Sequence, residues 1–220
     1  MEVINLSQNN SVICNYLAEL RDVNIHADRQ KFRFNLSRIG QLMAYEISKT
    51  MQYSSKDIQT PLGIATTNII DDNIVLGTIF RAGIPFHHGF LEIFDKADNA
   101  FLSAYRYFKD DKTKELGIHI EYMVTPDLND RTLIIVDPML ATGGSMELGI
   151  EAFLKNGKPK TIHLCCVLAS QEGVNNLQKF FKDADNITLW CGDIDPDLDA
   201  NSYIVPGLGD AGDLAFGTKL

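Results

Sequence analysis

No run of this chain approaches the roughly 18 consecutive apolar residues that a membrane-crossing helix needs. Its first residues, Met1-Glu-Val-Ile-Asn, lack a basic flank followed by an apolar core. Neither a membrane span nor a secretory leader is expected, and the sequence reads as that of a soluble, cytoplasmic protein. Basic residues are also scarce. Twenty Lys and Arg stand against 29 Asp and Glu, a formal net charge of −9, so the clustered cations that grip a nucleic-acid backbone are missing. A local basic pocket for a phosphate remains compatible with that balance. There are four cysteines, none with metal-site spacing. Cys14 falls in an expected helix, the neighbours Cys165 and Cys166 face opposite sides of an expected strand, and Cys191 ends another apolar run. They are expected to be buried thiols in a reducing compartment. The adjacent His87 and His88 cannot share one helix face, and no acid or thiol completes a ligand set, so they are read as packing or pocket-rim residues. No Pro/Gly/Ser-rich linker, internal repeat or low-complexity tract interrupts the 220 residues, and 45% of them are hydrophobic. One domain spanning 1–220 is expected, with ample material for a core.

What is present is organised around Arg131-Thr-Leu-Ile-Ile-Val-Asp-Pro-Met-Leu-Ala-Thr-Gly-Gly-Ser145. Its first half has the near-continuous apolar character of a strand covered on both faces in a parallel sheet. Asp137 places a carboxylate at the strand's carboxyl end. A small polar loop, Ala141 to Ser145, then leads into Met146–Asn156, where Met146, Leu148, Ile150, Phe153 and Leu154 recur at roughly helical spacing. Glycines let backbone N–H groups approach an anion, a helix start offers unpaired donors and partial positive charge, and Thr142 and Ser145 add hydroxyls. This loop is expected to hold a phosphate. A plain surface turn, the blander reading of Gly-Gly, does not account for an acid, a Thr and a Ser at the same strand end.

The same layout occurs earlier. Ile74–Phe80 reads as a buried strand, Arg81-Ala82-Gly83 follows at its carboxyl end, and Pro85–Phe94 reads as a helix. Ligands of open α/β sheets gather at such ends, and an arginine there can present a fork of donors to a pyrophosphate. Helical spacing is also expected over Ser11–Arg21 and Leu36–Met51, with the charged segment Asp28–Asn35 between them as a solvated loop anchored by its phenylalanines. Thr60–Gly63 is read as ending the helical region and Ile64–Ile70 as an edge strand. Ala100–Tyr107 and Ile118–Val124 read as strands on either side of a charged tip, Phe108–Gly117. Lys160–Ala169, Glu172–Phe181 and Ile187–Cys191 continue as strand, helix and strand, which implies a mostly parallel sheet with covering helices. The tail departs from that pattern. An acidic stretch, Asp193–Asp199, precedes a short apolar strand, Asn201–Val205. Pro206-Gly-Leu-Gly-Asp-Ala-Gly-Asp213 is too rich in glycine for a regular helix; it is either a loop covering the sheet or a binding element that offers backbone groups to a flat base.

Asp137-Pro-Met-Leu-Ala-Thr-Gly-Gly-Ser145 resembles the phosphoribosyl pyrophosphate (PRPP) motif of type I phosphoribosyltransferases, in the form of the uracil phosphoribosyltransferase family. Many type I relatives carry two adjacent acids; here Pro138 follows Asp137, which favours the uracil branch. Tyr203-Ile-Val-Pro-Gly-Leu-Gly-Asp-Ala-Gly-Asp213, followed by Phe-Gly-Thr, is similar to that family's uracil-binding hood, and the resemblance covers nearly the whole chain. It implies an α/β fold with a mostly parallel sheet flanked by helices, an N-terminal helical region and a C-terminal hood over about 192–220. It implies transfer of a phosphoribosyl group from PRPP to uracil, giving UMP and pyrophosphate. PRPP would be held by Arg81, Ala82, Gly83, Arg106, Asp137, Pro138, Met139, Leu140, Ala141, Thr142, Gly143, Gly144, Ser145 and Asp210. Uracil would lie against Ile204, Gly209, Asp210 and Ala211.

Within that set Asp137, Arg81 and Arg106 are the expected catalytic residues, with Arg106 and, more distantly, Lys109 belonging to a lid closing over the sugar-phosphate. The resemblance implies Mg2+ carried by PRPP, reached by Asp210 directly or through water, with no dedicated protein metal site. It further implies a homodimer or larger homo-oligomer using the N-terminal helices, and admits GTP as an activator. The family commonly has a basic residue where this chain has Leu214, so any ion pair made there is missing. Two rival readings stay open: a phosphoribosyltransferase for another base, and a non-catalytic nucleotide sensor or RNA-binding regulator on the same fold.

Overall fold

A computed structural model describes the backbone of residues 1–110 and 115–218 and the side chains of 1–103 and 120–218. Strand β1 (Glu2–Asn5) opens the chain, followed by helices α1 (Val12–Arg21) and α2 (Arg29–Ser48). A hairpin, β2 (Tyr53–Thr60) and β3 (Gly63–Ile70), leads to β4 (Ile74–Phe80) and α3 (Gly83–Ile93). Next come β5 (Asp98–Asp110), β6 (Glu115–Val124), β7 (Thr132–Val136), the two-residue β8 (Met139–Leu140) and α4 (Gly144–Phe153). The chain continues through β9 (Thr161–Ser170), α5 (Gln171–Phe180), β10 (Ile187–Asp195), the short β11 (Asp197–Leu198) and β12 (Ile204–Val205), and α6 (Ala211–Phe216).

The main sheet runs β1-β10-β9-β7-β4-β5-β6, with β8 joined to β9. Every pairing in it is parallel except β5 with β6. Successive strand residues alternate between two cores. Leu76, Ile134, Val136, Cys165 and Val167 pack with apolar residues of α1, α2, α3 and α6. Val75, Leu133, Ile135, Leu164 and Cys166 pack with those of α4 and α5. Burial on both faces explains why β4, β7 and β9 carry unbroken apolar runs, and the neighbours Cys165 and Cys166 divide between the two sides as expected.

Three expectations are corrected. The charged segment 28–35 is helical: α2 begins at Arg29 because the Asp28 carboxylate accepts hydrogen bonds from the N–H groups of Gln30 and Lys31. Phe32 and Asn35 extend the buried stripe of Leu36, Ile39 and Met43 back by a turn, leaving the charges outward. Residues 53–60 are a strand, and β2 and β3 form a separate two-stranded sheet rather than an edge of the main one. Pro61 and Leu62 make its turn, with the Thr60 side chain hydrogen-bonded to Leu62 N–H and Gly63 C=O. Finally, the glycine-rich tail becomes helical from Ala211, where the Asp210 carboxylate accepts from Asp213 N–H.

Candidate active site

The carboxyl ends of β4 and β7 and the C-terminal segment enclose a cleft of about 520 Å3. Of the residues singled out from sequence, it gathers Arg81, Ala82, Asp137, Met139, Ala141, Ser145, Ile204, Gly209, Asp210 and Ala211 along its walls. Gly83, Pro138, Leu140, Thr142, Gly143 and Gly144 are not part of that lining. Leu140 is fully buried, and a side chain on Gly83 would strike the Thr78 hydroxyl. The backbone of Arg106 lies on β5, paired with Ile118; its side chain, that of Lys109, and the tip 111–114 are outside the described residues.

Asp137 leaves β7 with its N–H donated to Cys165 C=O, and its carboxylate accepts from Met139 N–H. Half-buried at a strand end, it presents a carboxylate into the cleft. The loop that follows turns at Gly143, whose φ of 92° is left-handed and favours a residue without a side chain. That turn aims the first N–H groups of α4 at the loop, an arrangement suited to an anion.

What braces this loop leaves little mark in the sequence. The Ser170 hydroxyl donates to Ala141 C=O at 2.6 Å and accepts from Gly173 N–H at 2.9 Å, capping α5 and tying it to the loop in one stroke. Asn176 donates to Thr142 C=O at 3.0 Å. Gly173 approaches so closely that an added Cβ would sit 2.3 Å from Ala141 O. A serine ahead of a helix is a legible cap; its second bond depends on where the sheet brings the loop.

Arg81, at the end of β4, is paired with Asp213 of α6 at 2.9 Å and donates to Gly217 C=O. The peptide bonds Phe80–Arg81 and Val205–Pro206, both next to the cleft, are cis. Ser103, Glu121, Ser202 and Tyr203 also line it and were not anticipated; the first two are polar residues on strands and the last two lie in the irregular segment before β12, and neither setting gives a periodic signal. Leu214, where an ion pair was expected to be missing, packs against the core with Ala211 and Ala215 nearby.

Among the described residues no group of three or more His, Cys, Asp or Glu side chains is placed to hold a metal ion. The carboxylates in the cleft are Glu121, Asp137 and Asp210. A hard cation arriving on substrate phosphates, keeping several waters and using one or two carboxylates, fits this donor set.

A family model described as uracil phosphoribosyltransferase matches residues 7–218. The chain is 52% identical to the uracil phosphoribosyltransferase of Porphyromonas gingivalis over the full length of both. The chain belongs to the uracil phosphoribosyltransferase family. It is also 36% identical to the uracil phosphoribosyltransferase of Sulfolobus acidocaldarius, across 94% of this chain and 96% of the relative. Among solved structures, a protein from Aquifex aeolicus superposes with a TM-score of 0.86 at 29% identity, covering 99% of each chain. A hypoxanthine phosphoribosyltransferase from Staphylococcus aureus shares the fold, with a TM-score of 0.51 at 15% identity over 90% of this chain and 92% of that one. Membership of the uracil phosphoribosyltransferase family therefore rests on the whole chain, and the fold is that of the type I enzymes.

Proposed function

We propose that the protein transfers the phosphoribosyl group of PRPP to uracil, releasing UMP and pyrophosphate. The observation that carries the reading is the convergence, in one cleft, of an acid at a strand end, a loop at a helix start, an arginine and a backbone-rich C-terminal segment. In this reading the sugar 5-phosphate sits on the backbone N–H groups of 141–145 and the start of α4. Asp137 fixes the ribose hydroxyls, and its charge favours the cationic ring that develops as the anomeric C–O bond breaks, a state shared with glycoside hydrolysis. Arg81, with Arg106, neutralises the departing pyrophosphate. Uracil lies against Ile204 and Gly209 to Ala211, so that N1 faces the anomeric carbon and attack becomes effectively intramolecular. Mg2+ carried by the pyrophosphate would supply further charge neutralisation, and Asp210 would be the residue to meet it, directly or through water. Orientation and electrostatics therefore outweigh general-base catalysis.

Pyrophosphate release from PRPP and Mg2+ with uracil, beside cytosine, adenine, hypoxanthine and no base, tests the reading. Release with uracil alone is expected, lost in EDTA and restored by Mg2+. Silence with every base, from folded protein that binds PRPP, would overturn it in favour of a sensor. A cytoplasmic location, a homodimer or larger assembly, and activation by GTP belong to the same reading. Among the described residues no helix is long and apolar enough to cross a membrane. Light scattering tests the assembly, and assays with and without GTP the activation.

A further inference from the structure

One ion pair holds both backbone hydrogen-bonding groups of a single residue of the C-terminal segment, Gly207. Arg21, the last residue of α1, donates to both carboxylate oxygens of Asp195, at 2.7 and 2.8 Å. The same two groups then take up both backbone partners of Gly207: its C=O accepts from Arg21 at 3.1 Å, and its N–H donates to Asp195 at 2.9 Å. Asp193 fastens the assembly from the side. Its carboxylate accepts from Arg21 at 2.9 Å and from the Ser7 hydroxyl at 2.6 Å. Asp195 is almost entirely buried. Gly207 has a φ of 57°, and an added Cβ would fall 2.0 Å from Ile204 O, so the chain turns sharply where it is held. The cleft-lining residues Ile204 and Gly209 lie three residues before and two after this held glycine.

We propose that Arg21 and Asp195 are positioning residues for uracil: by holding both hydrogen-bonding groups of Gly207, they set the height and tilt of the segment whose backbone reads the base. The proposal rests on the base-site reading given above. Neither residue lines the cleft, so they act through Gly207 and Gly209 rather than by touching substrate. A fork of donors bonded to a carboxylate and a carbonyl together is a task for arginine that lysine, a point charge, cannot reproduce. Burial of the Arg21 guanidinium opposes its charge, and the hydrogen bonds it donates to Asp195 and Asp193 overcome that, keeping it firmly protonated.

The test compares Arg21→Lys, Arg21→Met and Asp195→Asn with the unaltered enzyme, measuring KM for uracil and for PRPP separately, with thermal unfolding as the check on fold. The expected result is a rise of about tenfold or more in KM for uracil in Arg21→Met, a smaller rise in Arg21→Lys, and an unchanged KM for PRPP. Ile187→Ala, in the core on the other side of the sheet, serves as a destabilised control that leaves KM for uracil unchanged. If the Met variant does not fold, the Lys variant decides. An unchanged KM for uracil in folded, active variants, or an equal rise for both substrates, would overturn the proposal. Gly209→Val separates the two levels. If it raises KM for uracil while the Arg21 variants do not, only the positioning role fails; if it has no effect, the base-site reading fails first.

Discussion

Arg81 Nη2 lies 2.9 Å from the Asp213 carboxylate, an ion pair that ties the end of β4 to the C-terminal helix. Both side chains are partly solvent-exposed, so the pair contributes little stability, about 0–1 kcal/mol. If Arg81 takes the pyrophosphate as proposed, the anion would meet a guanidinium already oriented by a carboxylate. Arg81→Lys keeps the charge and loses the fork, and kcat/KM should fall about 10²- to 10³-fold with little change in thermal stability. A loss of only a few fold would remove Arg81 from the leaving-group site.

Asp137→Asn preserves shape and removes charge. Turnover should fall on the order of a hundredfold or more, with an unfolding midpoint close to that of the parent. Unchanged turnover would exclude the carboxylate from stabilising the ribose.

Gly173→Ala probes the brace behind the phosphate loop. The added methyl meets Ala141 O at 2.3 Å and Leu140 O at 2.9 Å, so either α5 or the loop must move. KM for PRPP should rise and stability drop by about 1–3 kcal/mol. Equilibrium PRPP binding by calorimetry, alongside denaturant unfolding, distinguishes a displaced loop from a general weakening.

Two buried histidines set an acid limit. Burial lowers His87 to about 4, with nearby Asn99 opposing the effect and the neighbouring His88 adding to it. Burial likewise lowers His163 to about 4 against the pull of Asp72. Both are depressed from an ordinary 6.5, so between those values the unfolded chain binds the extra protons. Stability is fully present above about pH 6.5 and drains away as pH falls toward 4, by up to about 3 kcal/mol for each histidine. Denaturant midpoints followed by Trp190, whose indole N–H donates to His163 Nδ1, should fall across that window. His163→Gln should flatten the profile. A midpoint independent of pH from 7 to 4.5 would refute this account.

The strand-loop-helix units around Arg81 and Asp137 were legible because burial on both faces and glycine in the loop leave strong local marks. Hairpin β2–β3 was not, since Tyr53-Ser-Ser-Lys-Asp-Ile-Gln-Thr60 is exposed along nearly its whole length and carries no apolar alternation. The start of helix α2 is faint in the sequence because its first turns show charge outward while only Phe32 and Asn35 face in. Strand β1 escaped notice because four residues are too few for a period, and its pairing with β10 is a fact of topology. Ser170, Asn176 and Arg21 are similar. Each is an ordinary polar residue until the sheet brings a distant carbonyl to it.

That last point bears on synthesis. Glu2 finds its partner in Thr188, and Arg21 closes on Asp195 and Gly207, so early segments wait on late ones. Loop closure over such separations is slow compared with local pairing. A nascent chain can assemble β4, α3 and β7 while still on the ribosome, yet Arg21 has nothing to hold until residues 195 and 207 have emerged. Partly made chains would thus carry the 137–145 loop without the C-terminal segment that completes the cleft, and β1 would remain an unpaired edge open to misassociation until β10 has emerged.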